Sequence, residues 1–342
     1  MGGGICNEQI NLFGRTFSRK SLVVAFCMLA ALVPLAYSLH TAHVWEDFFI
    51  TFKFSKNLCE GNGLVYEPGQ RIHGFTSPLG TLVPALCYWI SGCKSHISAI
   101  WLFRIFFCIP AFVCAGLILL RIMEKSGGGP VQTVFAALLF LVEAKSVMYS
   151  VNGMETAFML LFVGTAFHFT LKGIESDWLM VGLSWAGLMW VRPDGFIFAG
   201  AVLAACLFFE RKTLGRRSLW AVVKAAAVCL ALYLPWFIFA WCYYGSPVPH
   251  TITAKSVLMS HYSLQEYAVN SIRKLPYGII WVFAPVYAQF MGWPLITRVI
   301  CGLMGLFPFI YWLIPVEDKL GRKASLVFFF LCCYSSVMIF PF

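Results

Sequence analysis

The chain has 342 residues, 60% of them hydrophobic and only 12% charged, with a mean hydropathy of +0.79. That composition excludes an ordinary soluble domain and divides the length among membrane spans of about 20 apolar residues each. The formal charge of +10 does not point to nucleic acid, because the basic residues sit in short clusters between hydrophobic runs, as cytoplasmic loops do. The 13 cysteines include no CxxC and no Cys/His ligand spacing. Most lie in apolar runs, where Cys acts as a small hydrophobe. Cys59 and Cys93 fall in polar loops, which leaves one disulfide open.

In chain order, residues 1–20 are polar, and Arg15, Arg19 and Lys20 place the N-terminus in the cytoplasm. Residues 21–45 carry no Asp, Glu, Lys or Arg and form a first span. No small-residue cleavage site follows it, so it reads as a span rather than a signal peptide. A first outer loop, 41–97, follows. It opens on adjacent carboxylates, Glu46 and Asp47. Phe48, Phe49, Phe52 and Phe54 then alternate with Thr51, Lys53, Ser55 and Lys56 in an amphipathic helical pattern. Gly61-Asn62-Gly63 stops that helix and Pro68-Gly69 marks a turn. Residues 79–92 are apolar but short for a span, which favours an interfacial helix.

Residues 98–120 form the next span, closed by Arg121 and Lys125. A span over 131–148 emerges at Tyr149–Thr156, and 157–172 returns. Residues 178–191 and 196–209 read as a helical hairpin with Arg192-Pro193-Asp194-Gly195 at its outer tip. Arg211, Lys212, Arg216 and Arg217 form the strongest cytoplasmic cluster. A span over 219–242 then delivers a second outer loop, 243–275. Residues 278–292 read as interfacial, 295–315 as a span with Lys319, Arg322 and Lys323 inside, and 324–342 as a last apolar run. The expectation is an all-α integral membrane protein: one domain over 1–342, no soluble domain, and about nine spans (between about 8 and 11) with interfacial helices in the first outer loop.

This topology puts Glu46/Asp47, Asn152/Glu155, Arg192/Asp194 and the Tyr243–Lys255 segment on one side of the membrane. Ionisable groups at a membrane are costly, so their clustering points to function. Each also has a plainer reading. Glu46 and Asp47 suit a solvated helix end, and Glu155 a helix N-terminus favoured by the dipole. Arg192 and Asp194 suit a hairpin-tip ion pair, Tyr243 and Tyr244 interfacial anchors, and Lys255 a solvated loop. Arg104, inside an apolar run, either snorkels outward or serves the site. His168 suits a packed, hydrogen-bonded side chain. Gly127-Gly128-Gly129 lacks the context of a phosphate loop.

The stretch EDFFITFKFSKNLCEGNGLVYEPGQRIHGFTSPL resembles the first outer loop of mycobacterial-type arabinofuranosyltransferases, whose pattern runs to GxGLVxNPGERVEGYTSPL. NGMETAF, VRPDG and YYGSPVPHTITAKS resemble that family's SGMET, TRPEG and YYGxxxPNTxxAK in the same order, so the likeness covers residues 45–256. The chain departs from it at Glu46, where many relatives have Asp, and at Gln70 and His73, where Glu is common. The resemblance implies a GT-C-type polytopic glycosyltransferase of a bacterial inner membrane. It implies transfer of a sugar, arabinofuranose or another pentose, from a polyprenyl-phosphate donor to an outer-face glycan or lipid.

That chemistry needs a base for the acceptor hydroxyl and positive charge for the leaving phosphate. Asp47 is the candidate base, since burial and a like-charged neighbour can tune a carboxylate. Glu46 supplies that neighbour, positions the acceptor, or joins Asp47 in holding a divalent cation such as Mg²⁺ or Mn²⁺. One base fits direct inversion, and adjacent carboxylates do not make the flanking pair of a glycosidase. Arg192, Arg71, His250 and Lys255 are candidates for the donor phosphate. Thr76, Asn152, Glu155, Asp194 and Tyr244 are candidates for substrate binding. Two further classes fit the same greasy chain: a transporter or flippase of lipid-linked sugars, and a non-catalytic assembly subunit. A transporter predicts charges near the bilayer midplane and inverted repeats, whereas these polar groups concentrate at one interface.

Overall fold

A computed structural model describes residues 9–12, 15–210, 215–259, 263–283, 294–313 and 327. One departure from an all-helical chain comes first. Strands β1 (Gln9–Leu12) and β2 (Arg15–Ser18) pair antiparallel, with Gln9 opposite Ser18 and Leu12 opposite Arg15. All other regular elements among the described residues are helices. They fall into two compact units. The first comprises 1–69 and 77–168, and the second 70–76 and 169–342.

In the first unit, α1 (Arg19–Thr41) is 23 residues long, about 34 Å at 1.5 Å per residue, which suits a hydrocarbon core of about 30 Å. α2 (Glu46–Cys59) is the amphipathic helix expected in the outer loop. Its Phe48, Phe52 and Phe54 are buried while Phe49 and Ile50 stay exposed. Each buried ring contributes about 2 kcal/mol by removal from water. Gly61 and Gly63, at φ +82° and +86°, end it as the sequence indicates. α3 (Pro78–Ile90) starts at Ser77, whose hydroxyl accepts from the Gly80 amide at 2.8 Å, with Pro78 at the first helical position.

α4 (His96–Phe103) runs through a π turn, Arg104–Cys108, into α5 (Ile109–Lys125). Two contacts fix how α1 lies along this helix. Arg19 pairs with Glu124 at 2.6 Å near one end. Near the other, Arg104 Nη2 donates to the His43 carbonyl at 2.5 Å. The basic N-terminal cluster and the acidic start of α2 thus lie at opposite ends of the α1/α5 pair.

The span read over 131–148 is broken. α6 (Pro130–Val142) and α7 (Ala144–Val151) meet at a 50° bend. The cause is Glu143, whose carboxylate accepts from the amides of Lys145 (3.1 Å) and Ser146 (2.6 Å) and so caps a new helix.

α8 (Thr156–Val191) carries the chain into the second unit through a kink marked by Gly173 and Asp177. There, α9 (Gly195–Glu210) and α10 (Arg216–Tyr244) follow. A Cβ at Gly182 would lie 2.6 Å from the Ala225 carbonyl oxygen, so α8 and α10 approach closely because Gly182 has no side chain. The segment expected as the second outer loop, 243–275, carries helices: α11 (His250–Met259) and the start of α12 (Leu264–Phe283). A capping box starts α12. Ser263 N and Oγ donate to Glu266 at 2.9 and 2.8 Å, and Glu266 N donates back to Ser263 Oγ at 3.2 Å. α13 (Leu295–Leu313) follows. The interfacial reading over 278–292 falls partly, and the apolar run over 324–342 almost wholly, outside the described residues.

Among the described residues, α1, the α4–α5 helix and α10 are long and apolar enough to cross a membrane, and the bent α6/α7 pair makes up to four. α3 and the Thr156–Thr170, Gly195–Ala205 and Leu295–Leu306 stretches are shorter apolar helices.

Candidate active site

The first unit brings together Glu46, Asp47, Asn152 and Glu155. Glu46 and Asp47 occupy the first turn of α2, where acidic side chains complement the unpaired amides of a helix start. Both side chains are exposed. Neither side chain has a hydrogen-bond or ion-pair partner among the described residues. What precedes them is firmly held. The Trp45 amide donates to the Asn152 carbonyl at 2.9 Å, and the Trp45 ring meets Tyr149 edge-on at 5.3 Å.

Asn152 is fully buried. Its Oδ1 accepts from the Met154 amide at 3.2 Å, while its Nδ2 has no hydrogen-bond partner among the described residues. Gly153 adopts φ +101°, and a Cβ there would lie 2.7 Å from the Phe48 ring. Only glycine admits both this backbone and this approach to α2. Glu155 is buried, and its carbonyl accepts from the Met159 amide at the start of α8. It therefore sits at a helix N-terminus, as its plainer reading has it.

Behind these residues stands Arg104, at 2% exposure. Its Nε donates to the Val151 carbonyl at 2.6 Å, its Nη2 to His43, and its guanidinium lies over Trp101 at 5.0 Å. It neither snorkels nor reaches a carboxylate among the described residues. It ties the chain before α2 to the end of α7. The sequence marked Arg104 as out of place in an apolar run but gave no sign of its partners.

The second unit groups Arg71, Thr76, Tyr244 and His250 through the short segment 70–76. The Arg71 guanidinium lies 4.7 Å from the centre of the Tyr243 ring, which stacks on Phe239. His73, at 1% exposure, stacks on Tyr244 with centroids 4.7 Å apart and planes 9° from parallel, and meets Phe75 and Trp236 edge-on. Burial lowers its pKa to about 4. A hydrogen bond to the Ser246 backbone acts the other way, and the charge of His250 adds to the lowering. His73 is therefore neutral at pH 7, and its Nδ1 has no hydrogen-bond partner among the described residues. Its carbonyl accepts from the His250 amide at 2.8 Å, which ties the segment to the start of α11. His250 is exposed, Thr76 half-buried and Tyr244 buried. Lys255 lies in α11, and its side chain falls outside the described part.

Arg192 and Asp194 form the hairpin-tip pair, with Nε 3.0 Å from Oδ1. A Cβ at Gly195 would fall 2.5 Å from the Leu188 carbonyl oxygen, so the tip is wound as tightly as glycine permits.

The carboxylates do not make a metal centre by themselves. Among the described residues no group of three or more His, Cys, Asp or Glu could hold an ion. Glu46 and Asp47 offer two neighbouring carboxylates, short of a protein ligand set for Mg²⁺ or Mn²⁺.

Helices of spanning length and almost no sheet among the described residues mark a predominantly helical membrane protein. Two curated relatives are similar to it. A terminal β-(1→2)-arabinofuranosyltransferase of Mycobacterium tuberculosis is 25% identical over 282 residues, which cover 76% of this chain and 40% of that protein. One of the same name from Corynebacterium glutamicum is 24% identical over 235 residues, 62% of this chain and 33% of that protein. The chain thus matches well under half the length of these relatives. No family model matches it, and no solved structure does.

Proposed function

We propose that this chain is a GT-C-type glycosyltransferase of a bacterial inner membrane, multi-pass, with its N-terminus in the cytoplasm and its active site on the outer face. It transfers a sugar, arabinofuranose or another pentose, from a polyprenyl-phosphate donor to a glycan or lipid acceptor. The acceptor oxygen attacks the anomeric carbon, the bond to phosphate breaks, and polyprenyl phosphate leaves with the electron pair. Asp47 takes the hydroxyl proton, and the configuration inverts. Glu46 positions the acceptor. Arg192, Arg71, His250 and Lys255 offset the phosphate charge. Thr76, Asn152, Glu155, Asp194 and Tyr244 hold the sugars. One membrane domain of about nine spans carries these roles in this reading.

The observation that carries the proposal is the placement of Asp47. It stands exposed on a helix start preceded by Trp45, whose amide is bonded to buried Asn152, and it lies in the EDFFITFKF stretch whose motifs resemble those of arabinofuranosyltransferases. The fixed supports leave the carboxylate open to a substrate.

The test is sugar transfer by purified protein in proteoliposomes with a panel of polyprenyl-phosphate sugars, with and without EDTA. Asp47→Asn should lower turnover by about 10²–10⁴-fold at unchanged protein level. Wild-type turnover by that variant would refute the assignment. Saturable binding of a donor without product would favour the transporter reading instead.

A further inference from the structure

Cys59 is the last residue of α2, and Cys93 sits in the turn after α3. Both reach the same face of α3. The Cys59 thiol lies 3.1 Å from the Ala85 carbonyl oxygen. The Cys93 amide donates to the Tyr88 carbonyl at 3.0 Å, and the Tyr88 hydroxyl donates back to the Cys93 carbonyl at 2.7 Å. Ala85 and Tyr88 are three residues apart on a helix, hence neighbours on one face. Ser55 Oγ, one turn before Cys59, bonds the Thr81 carbonyl at 2.6 Å and fixes α2 against α3 in the same register.

The backbone at Cys93 adds a second observation. It adopts φ +56°, one of two positive-φ non-glycine residues among those described, directly after Gly92 at +75°. Glycine would fill that conformation without strain. The Tyr88 bonds hold Cys93 in it, one turn of α3 from the Ala85 carbonyl that the Cys59 thiol reaches. Both residues are half-buried free thiols, so small reagents can reach them.

We propose that Cys59 and Cys93 form a disulfide that staples the end of α2 to the turn after α3. The oxidant is a thiol-exchanging disulfide, either a low-molecular-weight one or that of a thiol oxidoreductase. The Cys93 thiolate attacks one sulfur of the donor, and the first donor thiol leaves. Cys59 then attacks the Cys93 sulfur of the mixed disulfide, and the second donor thiol leaves. Two electrons pass to the donor disulfide, which ends as two thiols carrying the two protons. Cys59 suits the second step, since burial, with Cys93 beside it, pushes its thiol up to about 11 and makes it a poor first attacker at neutral pH. Formation in the cell rests on the outer-face placement of this loop, where disulfides persist.

Purified full-length protein would be treated with oxidised glutathione, alkylated, and digested with trypsin without reduction. The expected product joins fragments 57–71 and 72–94 and separates on reduction. Cys59→Ser and Cys93→Ser should each abolish it. Buried Cys87 shares the second fragment, so a link that persists in Cys93→Ser would overturn the pairing, as would the absence of a link in the wild type. Alkylation of intact cells before lysis is the second arm. A pair found reduced there, yet joined in vitro by oxidised glutathione, sustains the pairing and overturns the outer-face placement.

Discussion

The two units treat their polar groups in opposite ways. In the first, the carboxylates proposed to do the chemistry are exposed, while the groups behind them, Arg104, Asn152 and Glu155, are buried. In the second, segment 70–76 is anchored by a buried neutral imidazole on an aromatic platform, and its cation, exposed Arg71, lies over Tyr243. The first arrangement relies on hydrogen bonds to backbone carbonyls, which fix direction. The second relies on ring stacking, which excludes water but leaves the charge free to meet a ligand. A base must be aimed, whereas a phosphate clamp tolerates more freedom.

The largest expected effect would break the first half of this comparison. Asp47→Asn removes the proposed base and should act on turnover alone, as the transfer assay would show. Next is the support behind it. Arg104→Leu strips the donors from the Val151 and His43 carbonyls and should cost about 3 kcal/mol in reversible unfolding. Arg104→Lys should recover less than half of that, because one ammonium lacks the fork that reaches both carbonyls. A loss below about 1 kcal/mol in Arg104→Leu would show that these bonds do not hold the site.

The second unit makes a pH-dependent prediction. The His73 pKa of about 4 lies below its ordinary 6.5, so between these values the unfolded chain binds a proton that the folded one does not. Its contribution is complete above pH 6.5 and is lost as the pH falls towards 4, on the order of 3 kcal/mol. His73→Phe keeps the stack and should flatten the stability profile in that window. An unchanged profile would mean that His73 is not the titrating group. Smallest is Gly153→Ala, at about 2 kcal/mol of destabilisation from the positive φ and the Phe48 ring. It should also lower transfer activity by shifting α2, which an activity assay beside the melting curve would detect.

Much of the first unit was legible in the residues. The start of α2 at Glu46 and its stop before Gly61 follow from an amphipathic pattern and from glycines that accept a left-handed backbone. Both are local causes. The bend at Glu143 was equally local, since its carboxylate caps the amides of Lys145 and Ser146, but the apolar run around it hid the break. The capping box from Ser263 to Glu266 is local too, a Ser followed three residues later by a Glu at the start of α12. Arg104 is a different case. Its partners lie 47 and 61 residues away, and nothing in its neighbours names them.

The sequence by itself determined that this is a helical membrane chain with its acidic pair at one end of the first span, because hydropathy and charge asymmetry act over short stretches. It also marked the residues that resemble a glycosyltransferase loop. Only the tertiary structure decided which residues meet: Trp45 with Asn152, Arg104 with Val151 and His43, His73 with Tyr244, Cys59 with Ala85. The reason is physical. A side chain finds its burial and its partners through packing between distant segments, and that information is carried by no single stretch of chain.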